Sequence, residues 1–367
     1  MTTMMLARSD LKAALPRPHQ LIRVAPSAGA HRVAIRASLS IALPLAVLWL
    51  TGHIAWSMYA AFGAFASLYG RDTAYGPRLR MQLQAGAALV LGVTAGTAIG
   101  CSPDRRWLAV PVVAACAFLV SLLADRLRWH PAGPLFVVFG AAALGSHAAT
   151  PRQVPLAFAV AAGAALLAVA IGTAGKLRGL LPSASSRRAA AKAAAPATTP
   201  AAPVAIRPGW QWSQASRHGV AVLAAGAAAT ATGIGHPYWS MVAAVVAVTG
   251  VDTTTRLTRA IHRVAGTVAG VVLAAAILAP HLPVGALIVI VGLLQFATEL
   301  AVGRNYALAV VCLTPLALTM GTLAQPTGTW SLLHDRAIET VLGALIGMMV
   351  SLAAHYAHAY RAAPAAG

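Results

Sequence analysis

The chain has 367 residues, 59% of them hydrophobic and only 10% charged, with a mean hydropathy of +0.73. Soluble domains carry about 25% charged residues, so the composition excludes an ordinary soluble protein and indicates a membrane one. The net charge of +19 does not point to nucleic acid: of the 27 Lys and Arg, all but Arg105, Arg106, Arg152 and Arg336 fall in alternate loops, the tails and a central linker, the positive-inside pattern of a polytopic membrane protein.

In chain order, residues 1–31 form a basic tail with Arg8, Lys12, Arg17 and Arg23. It has no apolar stretch leading to a small-residue cleavage site, so it is expected to stay on the chain, in the cytoplasm. A first repeat over 32–176 follows, with apolar runs at 33–51, 54–70, 81–100, 107–124, 133–148 and 153–175. Most approach the roughly 17–25 residues that cross a hydrocarbon core. Residues 177–212, rich in Ala, Pro, Ser and basic residues, cannot bury a core and read as a cytoplasmic linker. A second repeat over 213–357 has runs at 216–233, 238–251, 262–280, 283–300, 305–323 and 333–355, before a cytoplasmic tail at 358–367.

The two halves resemble each other. "HIAWSMYAAFGAF" aligns with "HPYWSMVAAVVAV" and "GRDT" at 70–73 with "GVDT" at 250–253, after which Asp72 precedes Gly86 by the same distance as Asp252 precedes Gly266. Six spans per copy, an even number, give both copies the same orientation. The expected fold is therefore an all-α polytopic membrane protein of about 12 transmembrane helices, arranged as two parallel six-helix repeats. Small-xxx-small spacings at Gly92, Gly96 and Gly100, at Gly266 and Gly270, and at Gly343 and Gly347 predict tight helix seams. Cys101, Cys116 and Cys312 are scattered without metal-ligand spacing, so neither a metal nor any other cofactor is expected.

The run from Tyr238 to Val251 is short for a full crossing and opens on "HPYW", which marks a broken helix at a transport site or, through Tyr238 and Trp239, an interfacial belt. Beyond it, a helix capped at Asp252 or a following Thr would set Arg256, Arg259 and Arg263 at positions 0, 3 and 7, on one face. Arg256 fits a headgroup anchor as well as a functional role. Arg263, one turn further in and followed by the Gly266–Gly270 seam, is expected to face inward, where its planar donor fork suits a carboxylate; pairing with Glu299 is the structural alternative. Downstream, Glu299, Arg304, Asn305 and Tyr306 form one polar group; His334, Asp335, Arg336 and Glu339 form another, in which Arg336 and Glu339 are placed for a local ion pair. With only eight acids in the chain, Glu299 and Glu339 join His236 and His262 as candidate proton carriers.

"HPYWSMVAAVVAV", "RAIHRVAGTVAG", "ELAVGRNYALAVVCLTP" and "RAIETVLGALIG" resemble, in order and spacing, the membrane domain of the fusaric-acid-resistance-like (FUSC) proteins, with a more remote similarity to plant aluminium-activated malate transporters. The resemblance covers most of residues 210–356 and implies a multi-span inner-membrane protein that moves organic anions outward. By position it points to Arg263, Arg304, Asn305, Tyr306 and Trp239 as substrate-binding, and the cationic face of the helix adds Arg256 and Arg259. The partners expected are a small organic anion and the lipid bilayer, with no nucleic acid; whether the protein is an oligomer is left open. The alternative is a non-transporting membrane scaffold whose basic loops hold anionic lipids or partner proteins. An enzyme is not expected, since no nucleophile elbow, ligand cluster or paired carboxylates occur.

Overall fold

The computed structural model describes residues 15–26, 29–71, 73–179, 209–325 and 328–362. Asp72, most of the expected linker (residues 180–208) and much of the expected amino-terminal tail lie outside the described residues. After a short helix at Pro18–Ile22, the chain forms α1 (Ala30–Leu50), α2 (Ile54–Leu68, an α-helix flanked by 3₁₀ turns), α3 (Tyr75–Gly100), α4 (Arg105–Arg126), α5 (Leu135–Ser146) and α6 (Gln153–Gly179). The second half forms α7 (Trp210–Ala231), α8 (Tyr238–Val248), α9 (Thr253–Leu278), α10 (Val284–Val302), α11 (Tyr306–Ala324) and α12 (Thr329–Ala362). No strand occurs among the described residues.

Eight of these helices are long and apolar enough to cross a membrane: α1, α3, α4, α6, α9, α10, α11 and α12. The chain is a helical membrane protein, but four of the twelve expected spans are of another kind. Helices α2, α5 and α8 are shorter apolar helices, and α7 carries Gln214, Arg217 and His218 in its first half. Against the expected boundaries, α3 and α9 start about two turns earlier because their basic first turns are helical as well, and α12 runs to Ala362, through the start of the expected tail.

Short helices sit at the centre. All eleven residues of α8 are buried, as are the residues of α2 from Tyr59 through Leu68 and those of α5 from Val137 through Gly145. A helix apolar on every side is stable only when packed on every side. The three meet through aromatic rings: Phe139 of α5 lies 4.9 Å from Phe62 of α2 and 5.1 Å from Trp239 of α8, centroid to centroid, at angles suited to aromatic packing.

The predicted glycine seams are present. Gly96 of α3 faces α5, where an added Cβ would meet the Ala141 carbonyl oxygen at 2.5 Å; Gly266 of α9 faces the Ala307 carbonyl oxygen of α11 at 2.6 Å in the same sense. Gly343 and Gly347 of α12 abut Ser240, Ala244 and Ala247 of α8. Small residues let backbones approach closely where side chains would hold them apart.

Packing partners recur between the halves. Helix α3 packs on α5 and α6, as α9 packs on α11 and α12; α2 packs on α6 as α8 packs on α12. The halves meet reciprocally, α4 against α7 and α10 against α1.

Candidate functional site

The turn from α8 to α9 builds the first part of the site. Asp252 caps α9, as its position suggests, accepting hydrogen bonds from the Thr255 backbone N–H (2.7 Å) and hydroxyl (2.9 Å). The three arginines that follow share a face but not a fate. Buried Arg256 donates from Nε to the Gly250 carbonyl at 3.0 Å and so ties down the turn. Arg259 is exposed and lines a cavity. Arg263 is 2% exposed, inside the bundle.

The cavity, of about 590 Å³, lies between the two halves. Apolar walls come from Phe65, Leu68, Leu135, Phe136, Val246 and Leu313, with Arg71, Arg259, Glu299 and Tyr306 among its polar lining. Such a volume suits a small organic molecule, and few convergent polar groups on an apolar wall are the usual make-up of a ligand site. Arg71, from the first half, forms an ion pair with Glu299 of α10, which also accepts a hydrogen bond from Gln295 at 3.2 Å. Glu299 therefore pairs across the halves and not with Arg263.

A second, more open hollow of about 450 Å³ adjoins the cavity, with Arg23, Arg259, Arg304 and Tyr306 on its walls. Here the segment after the Pro18–Ile22 helix is strapped to the second half. The Leu21 carbonyl accepts from Asn305 Nδ2 at 3.0 Å and lies 2.9 Å from His262 Nε2; the Arg23 carbonyl accepts from Asn305 at 3.1 Å, and the Ala25 N–H donates to the Arg304 carbonyl at 3.0 Å. Asn305 Oδ1 meanwhile caps α11 through the N–H groups of Ala307 and Leu308. The structure thus gives Asn305 and His262 partners in the strap, whereas Arg304 and Arg259 are exposed.

The remaining candidates gather deeper, where α8, α9 and α12 meet. Arg336, one of the four basic residues that positive-inside counting left on the outer side of the membrane, is 1% exposed, with its guanidinium 3.8 Å above the centroid of Trp239. It makes no ion pair with Glu339, despite the helical spacing. The Glu339 carboxylate instead accepts from the His236 backbone N–H at 2.9 Å, and His236 Nδ1 lies 2.8 Å from Asp335. Trp239 and Tyr238 are buried, which removes the interfacial-belt reading: both face α5 and not a lipid interface. Nε of Arg263, Nε and Nη1 of Arg336, Oε2 of Glu339 and the Tyr306 hydroxyl are buried without a hydrogen-bond partner among the described residues. Leaving such groups unmet costs on the order of several kcal/mol for charged ones.

The sequence contained no cue for two links across the halves. One is Arg71 to Glu299, 228 residues apart; the other runs from Ser121 Oγ to His218 Nδ1 (2.9 Å) and from His218 Nε2 to Thr249 Oγ1 (3.0 Å). His218 lies in the polar first half of α7, beside Gln214 and Arg217, where its sequence surroundings do not single it out.

Fold and site together define a helical membrane protein with a ligand-sized cavity between its halves. Residues 223–350 match the family model described as Fusaric acid resistance protein-like. Over 138 residues the chain is 36% identical to an uncharacterized membrane protein of Bacillus subtilis (strain 168), YvaC; the match covers 37% of this chain and 22% of that protein. No solved structure matches the chain.

Proposed function

We propose that the protein is a transporter that moves amphipathic organic carboxylates outward across the cell membrane, through the cavity between its halves. The observation that carries this reading is the combination in one 590 Å³ space of apolar walls and Arg259: the walls suit an organic body and the guanidinium suits a carboxylate. Positive-inside counting supports a cytoplasmic position for the cavity end, with Arg71, Arg259 and Arg304, and for both termini and the linker. The name of the matched family, which refers to resistance to an organic acid, is in keeping with export.

The architecture proposed is two parallel six-helix repeats. Its support is the recurrence of packing partners six helices apart and the reciprocal contacts of α4 with α7 and α10 with α1. In this arrangement the short α2 and α8 are the broken helices that transporters place at their sites. Glu339 with His236, and Glu299 with Arg71, are the groups through which protons would couple to movement. A lipid-binding scaffold needs neither a cavity nor inward-facing charge, and both are present. Purified protein in liposomes, loaded with benzoate, tests the proposal: protein-dependent efflux that a proton gradient drives uphill is expected, and no protein-dependent flux of any carboxylate in a broad panel refutes it.

A further inference from the structure

The open hollow beside the cavity has a chemistry of its own. Arg23 of the strap, Arg259 of α9 and Arg304, just ahead of α11, all line it, three guanidinium groups from three separate stretches of chain. None of the three makes an ion pair among the described residues, and no Asp or Glu lines the space. The acids closest to them along the second half are engaged elsewhere, Asp252 in capping α9 and Glu299 in the pair with Arg71. Two long helices also begin at this wall: Thr254 and Thr255 belong to the first turn of α9 and Tyr306 opens α11, so the positive ends of both helix dipoles add to the arginines. The cavity next to it differs. There Glu299 offsets Arg71, and the apolar walls suit one carboxylate on an organic body. The hollow has three exposed cations, no counter-charge, and no Phe, Trp, Leu, Ile or Val on its wall.

From these observations we infer that the hollow is a phosphate-binding site, which takes a doubly charged phosphate group either dissolved in water or carried as the headgroup of a lipid. A monocarboxylate would neutralise one of the three cations. A phosphate monoester brings nearly two charges and three acceptor oxygens, enough for more than one arginine fork. Helix N-termini bind the same group through their free N–H donors. Tyr306 offers a further donor, since its buried hydroxyl has no partner among the described residues. The volume of about 450 Å³ suits a headgroup or a small phosphorylated molecule. Because Arg23 is carried by the strap, a bound phosphate would bridge residues 21–25 to α9 and to the start of α11. It would reinforce the hydrogen bonds that Leu21, Arg23 and Ala25 already make to His262, Asn305 and Arg304. The strap thus reports on the site.

The test is hydrogen-exchange mass spectrometry of the purified full chain in nanodiscs, in two arms. One titrates inorganic phosphate, at a pH where it is doubly charged, into discs of phosphatidylcholine; the other raises the share of phosphatidic acid in the discs. In at least one arm, exchange at residues 21–25 is expected to slow about tenfold once the ligand stands at about ten times its dissociation constant, while sodium chloride of equal ionic strength leaves it unchanged. A response to inorganic phosphate assigns the site to a soluble ligand, and a response to phosphatidic acid alone assigns it to a lipid. Arg23→Gln and Arg304→Gln are each expected to weaken the response about tenfold in affinity, the loss of one charge-assisted contact. Arg80→Gln, at an exposed arginine that does not line the hollow, is expected to change it about twofold or less, as a purely general attraction of anions would not. Both hollow arginines are exposed and lie on different segments, thermal melting identifies a variant that fails to fold, and one folded variant suffices. No slowing in either arm, equal slowing by sodium chloride, a parental response in either folded variant, or an equal loss in Arg80→Gln overturns the inference. No readout involves carboxylate flux, so the site stands or falls apart from the transport reading.

Discussion

The two halves share a packing plan but bury different chemistry. Among the described residues, every buried Arg, Asp and Glu belongs to the second half: Arg256, Arg263, Glu299, Asp335, Arg336 and Glu339. The first half buries uncharged polar groups such as Gln82, Thr97 and Ser121 and centres on the rings of Phe62, Phe65, Tyr69, Trp129 and Phe139. Burying a charge in a membrane protein is costly and persists where the charge has a task. The difference teaches that similar scaffolds need not bury the same chemistry: the first half gathers apolar and uncharged polar groups, and the second gathers the buried charges. The match of residues 223–350 to a family model falls on that charged half.

The largest effect that would sharpen this contrast concerns packing. In α12, a side chain added at Gly343 runs into the backbone of Ser240, whereas one at Gly163 of α6 meets nothing within 4 Å. Gly343→Leu is expected to cost about 3 kcal/mol, the upper end of overpacking effects, and Gly163→Leu almost nothing, as read by thermal melting in detergent. Equal losses would show that the α6 and α12 surfaces are equally committed.

Next comes charge at the cavity. Arg259→Ala is expected to lower the initial rate of benzoate flux about tenfold, or 1.4 kcal/mol, while Arg80→Ala, at an exposed position in the first half, leaves it within a factor of two. A matching loss at Arg80 would break the assignment of the active chemistry to one half. The Arg71–Glu299 pair is the exception, since it draws a first-half charge into the second-half network. A double-mutant cycle with Arg71→Ala and Glu299→Gln is expected to give a coupling energy of about 1 kcal/mol in melting experiments, and additivity would mean that the halves are not linked there. Smallest is the strap: Asn305→Ala removes a helix cap and two strap contacts. It is expected to cost about 1 kcal/mol and to speed amide exchange at residues 21–25, which hydrogen-exchange mass spectrometry would detect.

Much of this was readable from local pattern. The shortness of α8, the Asp252 cap, the glycine seams and the shared face of Arg256, Arg259 and Arg263 depend on residues a few positions apart, where helix geometry alone fixes direction. What that face meets depends on helices far off in the chain. The same stripe therefore holds a turn-tying residue, a cavity residue and a buried one, a division that spacing cannot express. Arg336 shows the reverse error: its spacing from Glu339 allows an ion pair, but Trp239 and the His236 backbone, about a hundred residues earlier, claim the two side chains. A helix at α7 was legible, although it starts at Trp210, six residues before the expected run, and the polar triad through His218 was not, because Ser121 and Thr249 come from different halves.

The strap at residues 21–25 has a consequence for biosynthesis. Its anchors, His262 and Asn305, are translated more than two hundred residues after it. An early segment must therefore wait, unseated, until the ninth helix and the start of the eleventh are in place. The entrance to the cavity is among the last features of the molecule to take shape, and a nascent chain stalled before residue 305 would hold an unfinished doorway.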